Sequence, residues 1–520
     1  MGKLFSIPYI ANRLWLRSQR QQHKAFKDQL DTALPVQLTK LFGYLEAAKD
    51  TAYGKTHQFR DIRTYEQYSE RVPVIEDYSQ LQLYIEQMKN GESDILFSGQ
   101  PSFFEKTSGT TTAAKFIPYN DTLKAEFQQA ISPWMHGLSL EYPKAMDGKA
   151  YWSLSPATNS PEQLESGIAV GTQDDSDYFI PLTAWLLGKV LAVPSQISRI
   201  RDPHAFYVIT WQHLLQNRDL TFISVWSPYF LIRLVDFLKE HPEEILKGLS
   251  SHLQATIKPI IHDGVTLDEL FPKLVVVSCW TQGQAGLWIG QLQQVLGNVT
   301  IQGKGLLSTE GVVTIPYAGS HLLAYTAHFY EFKDQSGKTF LLHELQQGNT
   351  YEVILTTAGG LYRYNTHDTV RCLGYEGQVP DLEFLGRSNQ TSDLVGEKLS
   401  QIQIGQVFGA MQQQFPEIKA LYLTTNKENP GYHLIVEAND THNELKISNA
   451  VDTAFCTNPY YHQAIQLGQL TPLTTAVFAE GISKQIIQSY KAQKSIKDGD
   501  LKIPYLLNND CLPKAVLAHV

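Results

Sequence analysis

The sequence of 520 residues has few cysteines and no long apolar run. Its four cysteines, Cys279, Cys372, Cys456 and Cys511, lie far apart and form no C-x-x-C pair. This pattern argues against a cysteine zinc site and a disulfide scaffold, and it favours a reducing compartment. No stretch approaches the roughly 18 apolar residues that a membrane span requires. We therefore expect a cytoplasmic protein without a membrane span.

The chain also lacks an excess of positive charge. It has 43 lysines and arginines against 52 aspartates and glutamates, a net charge of −9. Such a balance argues against non-specific binding of nucleic acid but is compatible with a local basic pocket for a small anion. Glycine (35) and proline (24) are too few for a fibrous or disordered chain, and 43% hydrophobic residues supply an ample core. The length fits several domains or one large core with a smaller one.

The order of apolar segments predicts an α/β protein. The first hundred residues have helical spacing, including a first helix expected to pack through Leu4, Ile7, Ile10, Leu14 and Leu16. After them, strand-like runs alternate with helical ones: strands at residues 220–228, 273–280 and 298–305, and helices at 230–241 and 286–297. This alternation predicts a partly parallel sheet with helices on its faces, and the Gly-rich segment 351–377 favours antiparallel pairing.

A polar patch at residues 386–393 interrupts two strand-like regions and indicates a domain boundary. We predict an N-terminal domain over residues 1–387 and a C-terminal domain over residues 388–520. The C-terminal part reads as α+β: a helix, the hairpin KALYLTTNKENPGYHLIVEA, a second helix and a strand at TTAVFAEG.

The most informative motif lies in residues 103–120. It comprises consecutive hydroxyl residues around a glycine and then a lysine: Thr107, Ser108, Gly109, Thr110, Thr111 and Lys115. Hydroxyls, exposed N–H groups and a nearby ammonium group suit a polyphosphate, although a surface turn rich in serine and threonine has the same composition. It is not a Walker A loop, and no other segment of the chain completes one.

Three further motifs place polar side chains after predicted strands or near the domain boundary. Ser308, Thr309 and Glu310 follow a strand, where oxygen atoms suit a nucleotide or its magnesium, or simply a turn. Asp368 is a candidate acceptor for a ribose diol, and Arg387 lies at the proposed junction. The last motif contains Lys502. Taken alone, Asp368 and Arg387 are more typical of surface ion-pair partners, and Lys502 is more typical of a solvated side chain.

Taken together, the motifs TSGTT…K, STE, GLYRYNTHDTV…FLGR…GEK and K-I-P resemble the adenylate-forming superfamily. More narrowly, the chain resembles the Gretchen Hagen family of auxin-responsive acyl acid–amido synthetases, since TAYGKTHQF, RVPVIEDYSQLQLYI, NGESDILF and AHFYEF follow in family order. Three positions depart from the family pattern: Thr112 and His367 stand where glycine is common, and Leu306 replaces an aromatic residue that stacks on adenine in many relatives.

The resemblance implies a large N-terminal adenylate-forming α/β domain, with mixed sheets flanked by helices, and a small mobile C-terminal α+β domain. It implies ATP and Mg²⁺, with a small-molecule carboxylic acid and an amino acid as substrates. The acid attacks the α-phosphate, and an amine then displaces AMP. The implied catalytic residues are Lys502 and Glu310, the latter also a magnesium ligand, and Lys398 acts in a second conformation. The implied nucleotide-binding residues are Thr107, Ser108, Gly109, Thr110, Thr111, Lys115, Ser308, Thr309, Tyr330, Asp368 and Arg387.

Two alternatives remain open at this point: an acyl-CoA ligase that uses the same adenylate, and a non-catalytic nucleotide-binding protein on the same fold. The chain has no G-x-S-x-G elbow and no HExxH motif, so a serine hydrolase and a metalloprotease have little support. The sequence leaves the acid, the acceptor and the oligomeric state undefined. Aromatic residues that serve either as pocket or as core are Trp134, Tyr151, Trp152, Phe179, Trp226, Tyr229 and Trp280.

Overall fold

The computed structural model describes residues 6–106, 115–152, 162–171, 188–200, 202–262, 264–426, 429–439, 443–494 and 501–519. The chain forms two compact units. The first comprises Met1–Trp226, Leu231–Trp280 and Gln293–Phe384, and the second comprises Ser227–Phe230, Thr281–Leu292 and Leu385–Val520. Two short segments of the predicted N-terminal domain, Ser227–Phe230 and Thr281–Leu292, therefore belong to the second unit, and the domain boundary after residue 387 stays a prediction.

The first unit combines helices with three sheets. Its α-helices are Ile7–Asp28, Ala33–Ala48, Ala52–Thr56, Tyr65–Arg71, Gln82–Lys89, Asp121–Glu141, Pro203–Gln216, Pro228–Glu240, Pro242–Lys247, Ser251–His262, Leu267–Leu270 and Ile289–Leu296. Its strands are β1 (Phe103–Lys106), β2 (Phe116–Tyr119), β3 (Lys149–Trp152), β4 (Glu162–Gln163), β5 (Ala169–Val170), β6 (Leu220–Ser224), β7 (Val276–Cys279), β8 (Thr300–Gly303), β9 (Thr314–Tyr317), β10 (Ser320–Leu323), β11 (Phe329–Lys333), β12 (Thr339–Phe340), β13 (Thr350–Thr356), β14 (Tyr364–Glu376) and β15 (Val379–Arg387). The helices Pro228–Glu240 and Ile289–Leu296 begin in the second unit, and β15 ends there.

The predicted parallel sheet is present, in the order β3-β6-β7-β8 with every pair parallel. Strands β6 and β7 are buried along their whole length, which explains why their sequences are mainly apolar and do not alternate with charged residues. Because the strands are parallel, their carboxyl ends share one edge of the sheet. Trp152, Ser224, Cys279 and Gly303 end the four strands at this edge.

The predicted antiparallel region forms a seven-stranded sheet in the order β12-β11-β13-β14-β15-β10-β9. Strand β14 pairs antiparallel with β13, with an irregular register between Glu352 and Ile354. Phe222 and Val276 of the parallel sheet and Val353 of the antiparallel sheet share one hydrophobic core. The third sheet, β2-β1-β5-β4, is small.

The first helix forms as predicted but packs through a different face. Ile7, Ile10 and Leu14 are exposed, whereas Trp15 and Phe26 are buried together with Ala11, Asn12, Leu16, Gln19 and His23. Leu16 is therefore the one predicted contact confirmed within the described residues, and Leu4 lies outside them.

The second unit contains the α+β elements that the sequence predicts. Its strands are β16 (Thr391–Ser392), β17 (Leu399–Ser400), β18 (Ile418–Asn426), β19 (Gly431–Ala438), β20 (Thr474–Phe478) and β21 (Leu506–Leu507). Its helices are Gln401–Gln414, Glu444–Phe455, Pro459–Gln466, Ile482–Lys494 and Lys514–Leu517. The predicted hairpin is β18 with β19, in a sheet of order β20-β19-β18-β21.

Among the helices of the described ranges, none has the length and apolar character needed to cross a membrane.

Candidate functional site

The S-T-E motif forms a tight turn after the parallel sheet. Leu307 and Val312 are bridged, and the Ser308 N–H donates to the Gly311 carbonyl at 3.0 Å. Thr309 and Glu310 therefore occupy the tip of the turn. The Thr309 hydroxyl donates to Oε2 of Glu310 at 3.1 Å, and the Glu310 residue is 5% exposed. Two oxygen-bearing side chains are thus fixed side by side, as the sequence predicted for this segment.

A buried histidine supports this turn from below. The Val312 N–H donates to Nε2 of His328 at 3.2 Å. The other ring nitrogen, Nδ1, therefore carries the proton and donates it to Oε2 of Glu126 at 3.0 Å. A Cβ atom at Gly311 would lie 2.9 Å from Nε2 of His328, so the glycine allows the turn to approach the ring this closely.

Glu126 links the turn to two other segments. Its carboxylate also accepts hydrogen bonds from the Tyr44 hydroxyl and, at 3.1 Å, from the Ala358 N–H. Burial raises the pKa of Tyr44 well above its ordinary value, and the Glu126 charge adds to the effect. The phenol therefore remains a donor at neutral pH, and a buried carboxylate has three donors around it.

Strand β2 connects the turn with the predicted phosphate-binding segment. At its end, the Tyr119 hydroxyl donates to the Thr309 carbonyl at 2.7 Å. Just before its start, Nζ of Lys115 donates to the Tyr364 hydroxyl at 2.9 Å. Burial raises the pKa of Tyr119 well above its ordinary value, with Glu105 and Glu310 contributing. The strand thus joins Lys115, the S-T-E turn and the first residue of β14.

Asp368 lies near the start of β14 and is 3% exposed. Its N–H donates to the Thr366 hydroxyl at 3.1 Å, and that hydroxyl donates to the Val353 carbonyl at 3.1 Å. His367 has φ of +60°, a conformation that favours glycine and accounts for the glycine common at this position in the family. The His367 ring donates from Nε2 to the Glu76 carbonyl at 2.8 Å, which holds the residue in place.

The segment before Asp368 is anchored by a buried ion pair. Nη2 of Arg363 lies 2.9 Å from Oε1 of Glu331, and Nε donates to Oε2 at 3.0 Å. The same guanidinium group donates to the Ser69 and Val72 carbonyls at 2.7 and 2.9 Å. Arg363 also has φ of +50°, so these contacts hold an unfavourable backbone conformation in place.

Tyr330 lies behind the S-T-E turn. It is fully buried, and its hydroxyl donates to the Val312 carbonyl at 2.6 Å. Its observed contact therefore supports the turn, and a contact with nucleotide stays a prediction.

Arg387, Lys398 and Lys502 belong to the second unit. Arg387 ends β15, and Lys502 is exposed between buried Leu501 and Ile503. Lys398 has φ of +47°, and its ammonium group lies 5.8 Å from the centre of the Tyr460 ring.

The residue before Lys398 is a buried acid. Glu397 accepts hydrogen bonds from the Leu394 and Val395 N–H groups at 2.9 Å and from the Tyr432 hydroxyl. These contacts hold the backbone immediately before Lys398 in place.

The hydroxyl-rich loop, Thr107, Ser108, Gly109, Thr110 and Thr111, lies outside the described residues, as does Phe179. Its contact with phosphate stays a prediction.

An aromatic group with a buried lysine lies at the carboxyl edge of the parallel sheet. Lys304 follows β8 and is 4% exposed, and its ammonium group lies 4.1 Å from the centre of the Trp226 ring and 5.8 Å from that of Trp134. The ring of Trp280 lies 5.5 Å from that of Trp226. Burial raises the pKa of the neighbouring Cys279 thiol to about 12, although the Lys304 charge opposes the shift. By contrast, Tyr229 packs on Trp288 in the second unit.

The sequence analysis missed Glu126, His328 and Lys304. A signal for Glu126 exists, because Leu123, Glu126 and Ala130 form one stripe of the helix Asp121–Glu141 and a carboxylate interrupts its apolar face. His328 and Lys304 depend on partners that only the fold brings near.

Comparison with known proteins identifies three family matches. The chain matches the GH3 family N-terminal domain over residues 22–266, the central domain over residues 321–387 and the C-terminal domain over residues 407–510. The S-T-E turn lies between the first two matched ranges.

The relatives have low sequence identity to this chain, but the similarity covers most of its length. A jasmonoyl–L-amino acid synthetase of Nicotiana attenuata, JAR6, is 22% identical over 426 residues, covering 71% of this chain and 72% of the relative. The 4-substituted benzoates–glutamate ligase GH3.12 of Arabidopsis thaliana is 20% identical over 379 residues, covering 65% of this chain and 66% of the relative. The chain thus spans about two thirds of the length of such relatives.

Solved structures share the fold. The GH3.15 acyl acid amido synthetase superposes with a TM-score of 0.82 at 16% identity, over 94% of both chains. A 2-hydroxyisobutyryl-CoA ligase in the postadenylation state has a TM-score of 0.55 at 13% identity, over 93% of this chain and 90% of the other. Both agree with the predicted α/β fold.

Proposed function

Because the chain belongs to the GH3 family, we propose that it is an ATP-dependent acyl acid amido synthetase. It adenylates a carboxylic acid and transfers the acyl group to an amine, that of an amino acid, releasing pyrophosphate and AMP. The family resemblance drawn from the motifs is confirmed. The roles of individual residues below are part of the proposal.

The S-T-E turn carries this proposal. Thr309 and Glu310 are set at the tip of the turn by His328 below it and by Tyr119 beside it. Such bracing keeps charged and polar oxygens in position before any substrate arrives, which is the condition for electrostatic catalysis without reorganisation. A turn that merely connected two strands would not need a buried Glu126–His328 pair beneath it.

In the first step, an oxygen of the acid attacks the α-phosphorus of ATP, and the bond to the pyrophosphate oxygen breaks. The barrier comes from repulsion between two anions. The ammonium groups of Lys115 and Lys502 would offset this charge, and that of Lys502 would act most strongly on the transition state. Asp368 would accept hydrogen bonds from the ribose diol, while Arg387 would contact phosphate or ribose.

Glu310 and Thr309 fit a magnesium ion. They provide a carboxylate and a hydroxyl, the oxygen ligands that magnesium takes, and one carboxylate suffices when phosphates and water complete its coordination. When bound, magnesium would neutralise phosphate charge.

In the second step, the amine nitrogen attacks the acyl carbon, AMP leaves and the nitrogen loses a proton. Family precedent implies that the small domain rotates between the steps, and Lys398 would act after the rotation.

We place the acyl group at the carboxyl edge of the parallel sheet. Ligands of α/β sheets bind beyond this edge, and here it presents Trp226 and Trp280 together with the ammonium group of Lys304. Aromatic faces suit an apolar acyl chain or ring, and a lysine suits a polar or anionic substituent on it.

Acid-dependent exchange of labelled pyrophosphate into ATP tests the first step. A panel of carboxylic acids should contain at least one that promotes exchange. Glu310→Gln should lower the rate by a factor on the order of 10²–10³, as for other preorganised polar groups. Glu376→Gln, at an exposed acid in β14, is the matched control and should leave the rate unchanged. Absence of exchange with every acid would contradict the proposal and favour a non-catalytic protein.

Amino acids and coenzyme A, added separately to the preformed adenylate, identify the acceptor. We expect an amide detected by mass spectrometry. A thioester alone would favour the acyl-CoA ligase. We retain this alternative because the chain shares its fold with a 2-hydroxyisobutyryl-CoA ligase.

Lys502→Ala tests the rotation. It should slow adenylation by a factor on the order of 10²–10³ and leave amide formation from preformed adenylate nearly unchanged. Lys514→Ala, at another exposed lysine of the second unit, is the control. Equal losses in both steps would count against the rotation.

A further inference from the structure

Three metal-ligand side chains converge where three helices of the first unit meet. His204 is near the start of the helix Pro203–Gln216, His241 connects two helices, and Glu244 lies in the second of these, Pro242–Lys247. Nε2 of His204 is 2.8 Å from Oε2 of Glu244. One ligand atom from each residue lies within 4.8 Å of the other two.

These separations are close to those of a coordinated metal. With bonds of about 2.0–2.2 Å, the ligand atoms of a tetrahedral zinc site lie roughly 3.3–3.6 Å apart. The 2.8 Å contact between His204 and Glu244 is a hydrogen bond and is shorter than this, so the two side chains would have to move apart to hold an ion. The side chains of His204 and Glu244 are 45% and 50% exposed, so water has access to the remaining coordination position.

The surrounding contacts restrict both imidazole rings. The ring of Phe237 packs beside both, with its centre 5.1 Å from that of His204 and 4.5 Å from that of His241, and the two imidazole ring centres are 4.8 Å apart. The Asp202 carboxylate accepts from the N–H groups of His204 and Ala205 at 3.3 and 3.1 Å, which fixes the start of the helix that carries His204.

A second cluster in the first unit has the same residue types but a different charge environment. Glu76, Glu352 and His367 also bring ligand atoms together. However, the Lys333 ammonium group lies 2.8 Å from Glu76 and 2.9 Å from Glu352, and it already supplies the positive charge. Nε2 of His367 donates to a backbone carbonyl, as described above. A metal ion there would have to displace a lysine.

At the first cluster no such competitor appears in the described part of the chain, where the ion-pair partner of Glu244 is His204 itself. We propose that His204, His241 and Glu244 bind a divalent transition-metal ion. Two imidazole nitrogens and one carboxylate oxygen fit zinc best, whereas magnesium and calcium prefer all-oxygen sites. The ion would join the helix Pro203–Gln216 to the corner at His241, and this role is independent of the proposed ligase activity.

Calorimetry with zinc chloride tests the site on the full-length protein after chelator treatment. Mutation of outer-shell partners alone weakens metal binding by about 10–100-fold, so we expect at least such a loss in His241→Ala, which removes a ligand, and in Glu244→Gln, which removes the carboxylate charge. His252→Ala removes an exposed histidine outside the cluster and should bind as the wild type does. Cobalt(II) in place of zinc should give the visible absorption of a tetrahedral site in the wild type and lose it in the two ligand variants.

Thermal unfolding gives a second readout, because an ion that binds the folded state raises its stability. Zinc should raise the Tm of the wild type and of His252→Ala, but not that of Glu244→Gln. Circular dichroism establishes that the variants are folded, and His241→Asn replaces His241→Ala if the latter is not. Equal zinc affinity in the wild type and the ligand variants, or no zinc binding by the wild type, would overturn the proposal.

Discussion

The bracing of the S-T-E turn can be tested by one substitution that removes a single contact. His328→Asn keeps an amide N–H near Nδ1, so the hydrogen bond to Glu126 survives. It removes the acceptor for the Val312 N–H, which is buried. Leaving one buried donor without a partner costs about 1–3 kcal/mol. Because a whole domain has a free energy of unfolding of roughly 5–15 kcal/mol, the variant should remain folded.

The effect on catalysis should exceed the effect on stability. Without its anchor, the turn that carries Glu310 should shift, and a displacement of about 1 Å at a reacting centre costs on the order of 10²-fold in rate. Acid-dependent exchange of pyrophosphate at a temperature where the variant is fully folded measures this loss. We expect a decrease of roughly 10–100-fold.

Tyr44→Phe is the matched control. It removes a donor from the same Glu126 carboxylate but has no contact with the turn in the observed network. Its loss of stability should be similar, about 1.5–3 kcal/mol for a hydrogen bond to a charged group. Its exchange rate should stay near that of the wild type. If both variants lose the same activity, or if His328→Asn retains full activity, the bracing of the turn is not what positions Glu310.

Three further predictions concern the other parts of the first unit. Asp368→Ala should weaken ATP binding by orders of magnitude, since two charge-assisted hydrogen bonds are worth about 1.5–3 kcal/mol each; unchanged affinity in calorimetry would remove it from the ribose site. Glu331→Gln breaks the buried pair with Arg363 and should cost about 3–5 kcal/mol in urea unfolding, whereas a loss below 1 kcal/mol would show that the pair is replaceable. Lys304→Met should raise the KM for the acid about tenfold and leave the KM for ATP unchanged, because a buried cation near the acyl group acts on that substrate alone; equal changes in both KM values would place Lys304 elsewhere.

Much of the fold could be predicted because its central strands are buried on both faces. Strands β6 and β7 read as mainly apolar runs, interrupted only by small hydroxyl residues, and the helix Pro228–Glu240 that follows β6 has ordinary amphipathic spacing. The hairpin β18–β19 was equally clear, since its two strands are adjacent in sequence and antiparallel. The local sequence pattern is enough to predict an element when its packing partner is adjacent in sequence, or when the element is apolar on every face.

The first helix shows that the local sequence pattern is not enough to predict which face of a helix is buried. It offers two faces, and the sequence favoured the one with Ile7, Ile10 and Leu14. The structure buries the face with Trp15 and Phe26, whose aromatic rings remove more apolar area from water.

Polar residues concealed that second face. Asn12 and Gln19 interrupt its apolar spacing, but the fold gives each of them hydrogen bonds: the Asn12 amide N–H groups donate to the Met146 and Gly148 carbonyls, and Gln19 accepts from Ser132. A buried polar side chain is tolerated when it is hydrogen bonded, and such partners lie more than 100 positions away in the sequence.

The same distinction applies to the candidate site, where some residues could be predicted from sequence motifs and others depend on contacts that only the fold makes. The oxygen-rich turn and Asp368 belong to recognisable motifs, but each is held by a carboxylate from another part of the chain. Glu126 lies beneath the turn, and Glu331 anchors the segment before Asp368 through Arg363. A buried charge is stable only with its full set of partners, so these acids and the backbone conformations they secure must change together. A relative could therefore keep the S-T-E turn and still misplace Glu310, if its counterpart of Glu126 lacked a partner.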